Sequence, residues 1–426
     1  MRYRRDGPAV MLCEPTSIFP TQLAAYWRTK GIEVVFVTHR DDAPRVLLDG
    51  TRVVHARDYE TRRTKKITRR LISPIVYRLE RTVPRFKRRF NRITGLSADS
   101  ELWLPHFASY VTEAWPTAMA ALAQRPRFVF GHEVTSYGPA TALCRGVPKI
   151  IFPWGGDIFT YAESSPYHFA LVKLSLRAAD LIVPGSTSAA RHIRERFGLA
   201  PEKVQPVPWG VDRQRFKKAD ARRRQSLCAK WGIDPGATIF LNPRRFRPMW
   251  GAFVSLEAFM RLAAELPSSH FILLGGISSE DYMLQAKAEL EKERLLNRFT
   301  LLDGNVSLDV CAELMSISDV FVSLLGRGDM RSSSVLQAAA AGGVPVVSDN
   351  PEYREMERLG FAGLFVRPDS VEDVLRALRF FVQNPEKASE MAALNGTYIA
   401  KHEDYHKQMD KMLSLIDAVC ADYAGR

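Results

Sequence analysis

The chain has 426 residues, of which 46% are hydrophobic and 25% are charged, and its formal net charge is +13. This length exceeds one typical hydrophobic core, so two domains of roughly 200 residues each are expected. The sequence has no apolar run near the ~20 residues of a membrane-spanning helix, and the apolar part of its N-terminus is too short for a signal peptide. The five cysteines form no CxxC pair and are expected to be reduced thiols in a cytosolic chain.

Nearly all of the excess positive charge lies in residues 62–92, which we call the basic segment. It holds thirteen Lys or Arg residues against one acid, Glu80, and so carries a charge of +12. Apolar residues interleave with these cations, and such a composition suits an anionic membrane surface, the favoured interpretation. The phosphates of nucleic acid would also attract these cations, but nucleic acid is not the expected partner. The third interpretation is a solvated segment without a partner.

Short apolar runs alternate with helical stretches from the start of the chain. A strand over 10–13, a helix over 21–29 and a strand over 33–38 form a predicted βαβ unit. After the basic segment the alternation resumes, with strands predicted at 128–130, 149–154 and 181–184 and helices at 139–144 and 167–179. Such continuous apolar strands are typical of a parallel sheet that is covered on both faces.

The second half repeats the pattern after a charged helix over 222–231. Strands are predicted at 238–241, 270–274, 299–302, 320–324, 344–347 and 363–366, and helices at 252–266, 282–295, 307–315, 334–341 and 371–383. The predicted fold class is α/β, with Rossmann-like domains at 1–212 and 213–385 and a helical segment at 386–426. Ligands of doubly wound sheets bind beyond the carboxyl ends of the strands, so the two domains are expected to face each other across a cleft.

The stretch 328–350, GDMRSSSVLQAAAAGGVPVVSDN, places small polar residues at the start of a helix that should be buried. Three serines can open this helix: Ser332, Ser333 and Ser334. Its free backbone N–H groups and positive dipole end can bind an anion, and Asp329 and Gln337 bracket them with side chains that bind hydroxyl groups. A sugar phosphate ester is the expected ligand.

Three blocks of the sequence carry a family resemblance. The first is WGGD at 154–157 with AADLIVPGS at 178–186, the second is WGVD at 209–212, and the third is the block at 329–349. They resemble the retaining, metal-independent glycosyltransferases of GT-B fold, of the family-four (glycosyltransferase group 1) type. The resemblance covers about 10–383 and implies a nucleoside diphosphate sugar, of UDP or GDP, as donor substrate and no cofactor.

The third block matches the donor-binding block of the family, which has two acids separated by seven residues. Asp329 stands at the first acid, which holds the transferred sugar, and Gln337 stands at the second, which holds the ribose. The commonest pattern has glutamate at both positions. Gln337 keeps a carbonyl acceptor but loses the charge. The alternative is that Asp329 is a turn residue and Gln337 a helix-surface residue.

The loop at 242–251 resembles the family's pyrophosphate-binding loop. Arg245 stands at the Arg position, whereas Trp250 stands where a Lys is expected. Arg247 or Arg244 could supply the second cation, because a guanidinium binds phosphate oxygens at least as well as an ammonium. Arginines on a solvated surface loop are the alternative.

In the first domain, the resemblance implies that Asp157 and the backbone of Gly155 and Gly156 face the donor. The predicted catalytic residues are thus Asp157, Asp329 and Arg245. Trp154 stands where the family often has His, so no histidine role transfers. A helix N-cap is the alternative role for Asp157.

The acceptor side is expected at the loop 14–21, with His132 and Glu133 at the end of a strand as weaker candidates. A separate motif, HEDYH at 402–406, spells the zinc-protease pattern HExxH. It lacks a third ligand, so a solvated terminal helix and no metal are expected.

These observations favour a hexosyltransferase whose acceptor is lipid-linked or a glycan, in polysaccharide biosynthesis for the cell surface. The basic segment suggests a cytoplasmic enzyme held peripherally at the inner face of the cytoplasmic membrane. The alternative is a non-catalytic, glycosyltransferase-like binding protein tethered to a membrane or a partner. A nucleotide-sugar epimerase is a third possibility that shares the predicted cleft.

Overall fold

The computed structural model describes residues 4–15, 17–40, 42–47, 49–59, 105–276, 280–304, 306–325 and 331–425. The basic segment and the predicted donor residue Asp329 lie outside the described residues. Within the described part of the chain, the helices include none that is long and apolar enough to cross a membrane.

The described residues form two sheets. The strands of the first sheet are β1 (Ala9–Leu12), β2 (Val34–Thr38), β3 (Arg52–His55), β4 (Phe128–His132), β5 (Lys149–Phe152) and β6 (Leu181–Ile182). The strands of the second sheet are β7 (Thr238–Asn242), β8 (Ser269–Leu274), β9 (Phe299–Leu302), β10 (Val320–Ser323), β11 (Val344–Ser348) and β12 (Leu364–Val366). Most of their residues are buried on both faces, as the continuous apolar runs predict.

Helices connect these strands. In chain order they are α1 (Ile18–Thr29), α2 (Pro105–Ala123), α3 (Gly138–Leu143), α4 (Pro166–Ala178), α5 (Thr187–Phe197), α6 (Ala221–Trp231), α7 (Ala252–Glu265), α8 (Glu280–Lys292), α9 (Leu308–Ile317), α10 (Ser333–Ala340), α11 (Pro351–Arg358), α12 (Val371–Gln383), α13 (Pro385–His402) and α14 (Tyr405–Ala424). Polar side chains cap several N-termini by accepting a backbone N–H, as Ser186 does for α5 and Asp220 for α6.

Both sheets are parallel and have the same strand order. The first runs β3-β2-β1-β4-β5-β6 and the second β12-β11-β10-β7-β8-β9, so in each the first and fourth strands are neighbours. In a doubly wound sheet this neighbouring pair is the point where the chain reverses its direction of winding, and ligands bind beyond its carboxyl ends. The predicted fold class, two Rossmann-like α/β domains, is confirmed.

The chain divides into two compact units whose limits differ from the predicted domains. The first unit contains the described residues up to Val207 together with those from Met409 onward, and the second spans Pro208–Gln408. The terminal helices therefore do not form a segment of their own. In α14, Asp410 pairs with Lys30 and Asp417 with Arg127 of the first unit.

Helix α13 packs within the second unit instead. Asn395 exchanges two hydrogen bonds with the backbone of Ala362, at 2.8 and 2.9 Å. Tyr398 and Ile399 join the core that includes Val211 and Phe216. The boundary thus falls five residues before the predicted one, because Val211 is already buried in the core of the second unit.

Candidate functional site

The carboxyl edge of the second sheet carries an arginine cluster. The loop that follows β7 holds Arg244, Arg245 and Arg247, and its turn is fixed by Asn242, whose Oδ1 accepts the N–H of Arg244 at 3.0 Å. The exposed Arg245 runs along Gly276, which follows β8 and has a φ of +145°. A Cβ at Gly276 would lie 2.6 Å from Cγ of Arg245, so a glycine is required there.

Trp250 supports the other two guanidinium groups of this cluster. The Arg244 guanidinium carbon lies 4.7 Å from the centre of the Trp250 ring, and that of Arg247 lies 5.9 Å from it. Such cation–π contacts hold cations against an aromatic face. The residue that replaces the expected lysine is therefore the platform for two neighbouring arginines.

The electrostatics of the cluster favour an anion. Among the described residues, no acidic side chain lies within ion-pair distance of Arg245 or Arg247. Partial desolvation and then the charge of Arg247 lower the pKa of Arg245 below its ordinary value. A phosphate group would relieve this repulsion between like charges.

Helix α10 begins at the predicted serines. Ser332 is the N-cap, and its hydroxyl lies 2.7 Å from that of Ser334. The N–H of Ser332, however, donates to the Tyr353 hydroxyl at 3.1 Å, so this amide is already bonded inside the protein. Ser333, Ser334 and Gln337 are partly exposed, while Val335, Leu336, Ala338 and Ala339 are buried. Phosphate and ribose contacts from the exposed positions stay predictions.

In the first unit, Asp157 ties together the loops that follow β4 and β5. Its buried carboxylate accepts the backbone N–H of Val134 at 2.8 Å, of Gly155 at 2.8 Å and of Trp154 at 3.0 Å. Gly155 has a φ of +106°, a conformation that favours glycine. Both oxygens of Asp157 thus face backbone amides, which favours a positioning role over direct contact with substrate. Burial raises the pKa of this carboxyl.

Trp154 presents an exposed aromatic ring beside the end of β4. Its side chain is 41% exposed, and its indole N–H donates to Nδ1 of the buried His132. Phe19 packs edge-on against the same ring, with 5.8 Å between ring centres. Burial lowers the pKa of His132 to about 3, so its imidazole is neutral and can accept the indole hydrogen bond.

Glu133 sits at the carboxyl end of β4 in an uncommon conformation, with a φ of +83°. Its carboxylate accepts hydrogen bonds from the hydroxyls of Thr135 and Ser136, the latter at 2.9 Å. Burial, and then the charge of Asp157, raise its pKa to about 7. A carboxyl that titrates near neutral pH at a ligand-binding edge is suited to binding or proton transfer.

We expect Glu133→Gln to flatten the pH dependence of stability. A pKa raised from the ordinary 4.5 to about 7 means that the folded state retains a proton which the unfolded state releases, so stability falls as the pH rises through this window. The full loss is ~3 kcal/mol. Urea unfolding at pH values from about 4 to 8 measures it. Glu202→Gln, at an exposed glutamate, is the control; parallel curves for wild type and Glu133→Gln would contradict the prediction.

The expectation of a solvated helix at 402–406 is wrong. Helix α13 ends at His402 and α14 begins at Tyr405, so the two histidines are not on one continuous helix. Glu403 between them is buried and paired with Arg331, a contact that the sequence analysis missed. Within the described ranges, no group of three His, Cys, Asp or Glu residues is arranged to hold a metal ion.

Two family models match the chain. The model for glycosyl transferases group 1 matches residues 224–395, and the model for Glycosyltransferase Family 4 matches residues 18–215. Among curated proteins, the D-inositol 3-phosphate glycosyltransferase of Rhodococcus erythropolis is 26% identical over 219 residues, which are 50% of this chain and 48% of that protein. That of Rhodococcus opacus is 25% identical over 223 residues. The chain thus spans about half the length of these curated relatives.

Solved structures show the same fold. Sucrose-phosphate synthase of Thermosynechococcus elongatus superimposes with a TM-score of 0.71 at 14% identity, covering 98% of this chain and 100% of that one. Anabaena HepE in complex with UDP-glucose gives 0.70 at 12% identity, covering 97% and 100%. Two doubly wound domains of this kind define the GT-B class of glycosyltransferases. The Family 4 model and the group 1 model together match most of the chain, which supports a GT-B glycosyltransferase of the group 1 type.

Proposed function

We propose that the protein transfers a hexose from a nucleoside diphosphate sugar, of UDP or GDP, to a hydroxyl of a lipid-linked or glycan acceptor, with retention of configuration. The observation that carries this proposal is the arginine cluster at the carboxyl edge of the second sheet. Three guanidinium groups follow one strand, two of them lie over Trp250, and Arg245 and Arg247 lack a described acidic partner. Anabaena HepE, which has a similar fold, was solved with UDP-glucose.

The proposed chemistry is a substitution at the anomeric carbon. The bond from that carbon to the diphosphate oxygen breaks, the acceptor oxygen bonds to the same face of the sugar, and the acceptor proton passes to the departing phosphate. Negative charge then grows on the diphosphate, and Arg245 with Arg247 would stabilise it. Backbone N–H groups of Ser333 and Ser334 would add hydrogen bonds at the positive end of the α10 dipole.

Other donor contacts follow from the resemblance. Gln337 would accept a hydrogen bond from a ribose hydroxyl, since it is partly exposed one turn after Ser333. Asp329 would hold hydroxyls of the transferred sugar. Within the first unit, we propose that Trp154 offers a ring on which an acceptor sugar stacks, and that Glu133 accepts a hydrogen bond from an acceptor hydroxyl.

A panel of UDP- and GDP-sugars tests the donor proposal. We expect one of them to raise the thermal midpoint of the purified protein, because a ligand that binds only the folded state stabilises it; at 100 times its Kd the gain is about 2.7 kcal/mol. No stabilisation by any nucleotide would refute it. Binding without turnover for any acceptor would instead support the non-catalytic binding protein, an alternative motivated by Gln337 in place of an acid.

The basic segment supports a membrane-associated acceptor. We propose that residues 62–92 bind anionic lipid at the inner face of the cytoplasmic membrane, each cation contributing about 1 kcal/mol. Flotation with phosphatidylglycerol vesicles, with and without this segment, is the test. We expect binding that the deletion abolishes and that weakens as salt rises; salt-insensitive binding, or none, would contradict the proposal.

A further inference from the structure

A buried ion pair connects the start of the predicted donor helix to a distant part of the second unit. Arg331 directly precedes Ser332, the N-cap of α10, and its side chain is only 10% exposed. The partner is Glu403, whose side chain is 2% exposed, 72 residues further along the chain. Both guanidinium Nη atoms of Arg331 donate to the carboxylate, with 3.3 Å between Nη2 and Oε2.

Glu403 lies where two stretches of the second unit pair with each other. The N–H of Val211 donates to the carbonyl oxygen of Glu403 at 2.6 Å, and the N–H of Tyr405 donates to the carbonyl oxygen of Val211 at 3.2 Å. These stretches lie close to the two boundaries of the unit, at Pro208 and Gln408. The Tyr398 hydroxyl adds a contact of 3.4 Å to the Glu403 carboxylate.

The ion pair between Arg331 and Glu403 is not required for stability alone. Removing two charges from water is costly, and buried ion pairs can often be replaced by apolar residues without loss of stability. What a bidentate pair provides is a defined geometry, because the planar guanidinium fork accepts a carboxylate in few orientations. Together with the hydrogen bond from Ser332 to Tyr353, it fixes the backbone where α10 begins.

We propose that Arg331 and Glu403 are positioning residues for the nucleotide-sugar: they orient the start of α10 and couple donor binding to the paired stretches at Val211 and Tyr405. The inference rests on the proposed donor site at Ser333, Ser334 and Gln337. Neither residue of the pair contacts the donor in this proposal. Because coupling is reciprocal, nucleotide bound at α10 stabilises the paired stretches as much as they stabilise its binding.

Steady-state kinetics and hydrogen exchange on the full chain test this proposal, with UDP or GDP and the donor identified by the nucleotide-sugar panel. Glu403→Gln keeps the shape of the side chain and removes its charge. We expect it to raise the donor KM about tenfold and leave kcat within about twofold, because the change affects binding and not the reacting groups. In wild type, we expect nucleotide to slow exchange of the Val211 and Tyr405 amides, and we expect Glu403→Gln to lose this protection.

Two further variants separate positioning from general destabilisation. Asp319→Asn is the matched control, because Asp319 is also a multiply bonded carboxylate of the second unit but precedes β10, at the opposite edge of the sheet. It should lower the unfolding midpoint and leave the donor KM unchanged. Arg331→Lys keeps the positive charge but loses the planar guanidinium group, and we expect it to raise the donor KM less than Glu403→Gln does. If Glu403→Gln does not fold, Arg331→Lys provides the test.

The outcomes distinguish this inference from the proposed function. If wild type binds no nucleotide, the proposed function fails and the inference fails with it. If wild type binds nucleotide but both variants keep the wild-type KM and amide protection, only the positioning role is refuted. Equal KM increases in Asp319→Asn and Glu403→Gln would likewise refute it, because destabilisation alone would then explain the effect.

Discussion

Replacing Arg245 by alanine is expected to lower kcat/KM for the nucleotide-sugar about 10²- to 10³-fold, the loss typical of removing one group that stabilises charge developing in a transition state. The side chain is exposed at the carboxyl edge of the second sheet, its stem is held against Gly276, and its pKa is lowered by partial desolvation and by Arg247. The interaction between this cation and the diphosphate is strongest when the diphosphate has gained its full negative charge, late in the breaking of its bond to the sugar. Most of the loss in Arg245→Ala should therefore appear in kcat.

Graded variants make this prediction specific. Arg245→Lys keeps the positive charge but loses the bidentate guanidinium group, and we expect it to retain more activity than Arg245→Ala. Trp250→Ala removes the platform of Arg244 and Arg247 and should cost less than Arg245→Ala, because it releases those cations without deleting them. Arg222→Ala, on the exposed face of α6, is the control for loss of one positive charge. Equal activities of Arg245→Ala and Arg222→Ala would contradict the assigned role.

The periodicity of apolar residues predicted most of the described strands because most of them are buried on both faces. The strands predicted at 270–274 and 344–347 correspond closely to Ser269–Leu274 and Val344–Ser348. The analysis missed β3, a four-residue edge strand that begins with the exposed Arg52 and so gives no continuous apolar run. It also missed α2, a helix that contains Pro116, a residue that ordinarily argues against a helix interior.

The parts of the candidate site whose residues are neighbours in the sequence were predictable. The parts that depend on contacts between residues far apart in the sequence were not. Three arginines and a tryptophan lie within seven residues, and the resemblance of this loop to the family's pyrophosphate-binding loop predicted an anion site. Nothing local could show that Glu403 is buried, since its counter-ion Arg331 is far away in the chain. The same limit applies to Ser332, whose amide is bonded by Tyr353 from another helix.

Asp157→Asn should destabilise the first unit by about 2–4 kcal/mol, because an amide NH₂ would then face a buried backbone N–H that the carboxylate now satisfies. Oδ1 receives the N–H groups of Trp154 and Gly155, and Oδ2 receives that of Val134 at 2.8 Å, so neither orientation of an asparagine can satisfy all of them. Val134 directly follows Glu133. The substitution should therefore disturb Trp154 and Glu133 together and lower turnover without a change in donor binding.

Unfolding and kinetics on the same variant separate the two roles of Asp157 that the sequence left open. A positioning role predicts that stability and turnover fall together. Loss of turnover at unchanged stability would instead support the catalytic role predicted from the family resemblance. Asp180→Asn is the matched control, since Asp180 accepts one backbone N–H from Lys149 at 2.9 Å and pairs with its ammonium at 3.0 Å, at the opposite edge of the same sheet. That change should cost about 1 kcal/mol and leave turnover intact, because the asparagine carbonyl can still accept the Lys149 N–H and only the charge of the ion pair is lost, far from the strand ends that carry Trp154 and Glu133.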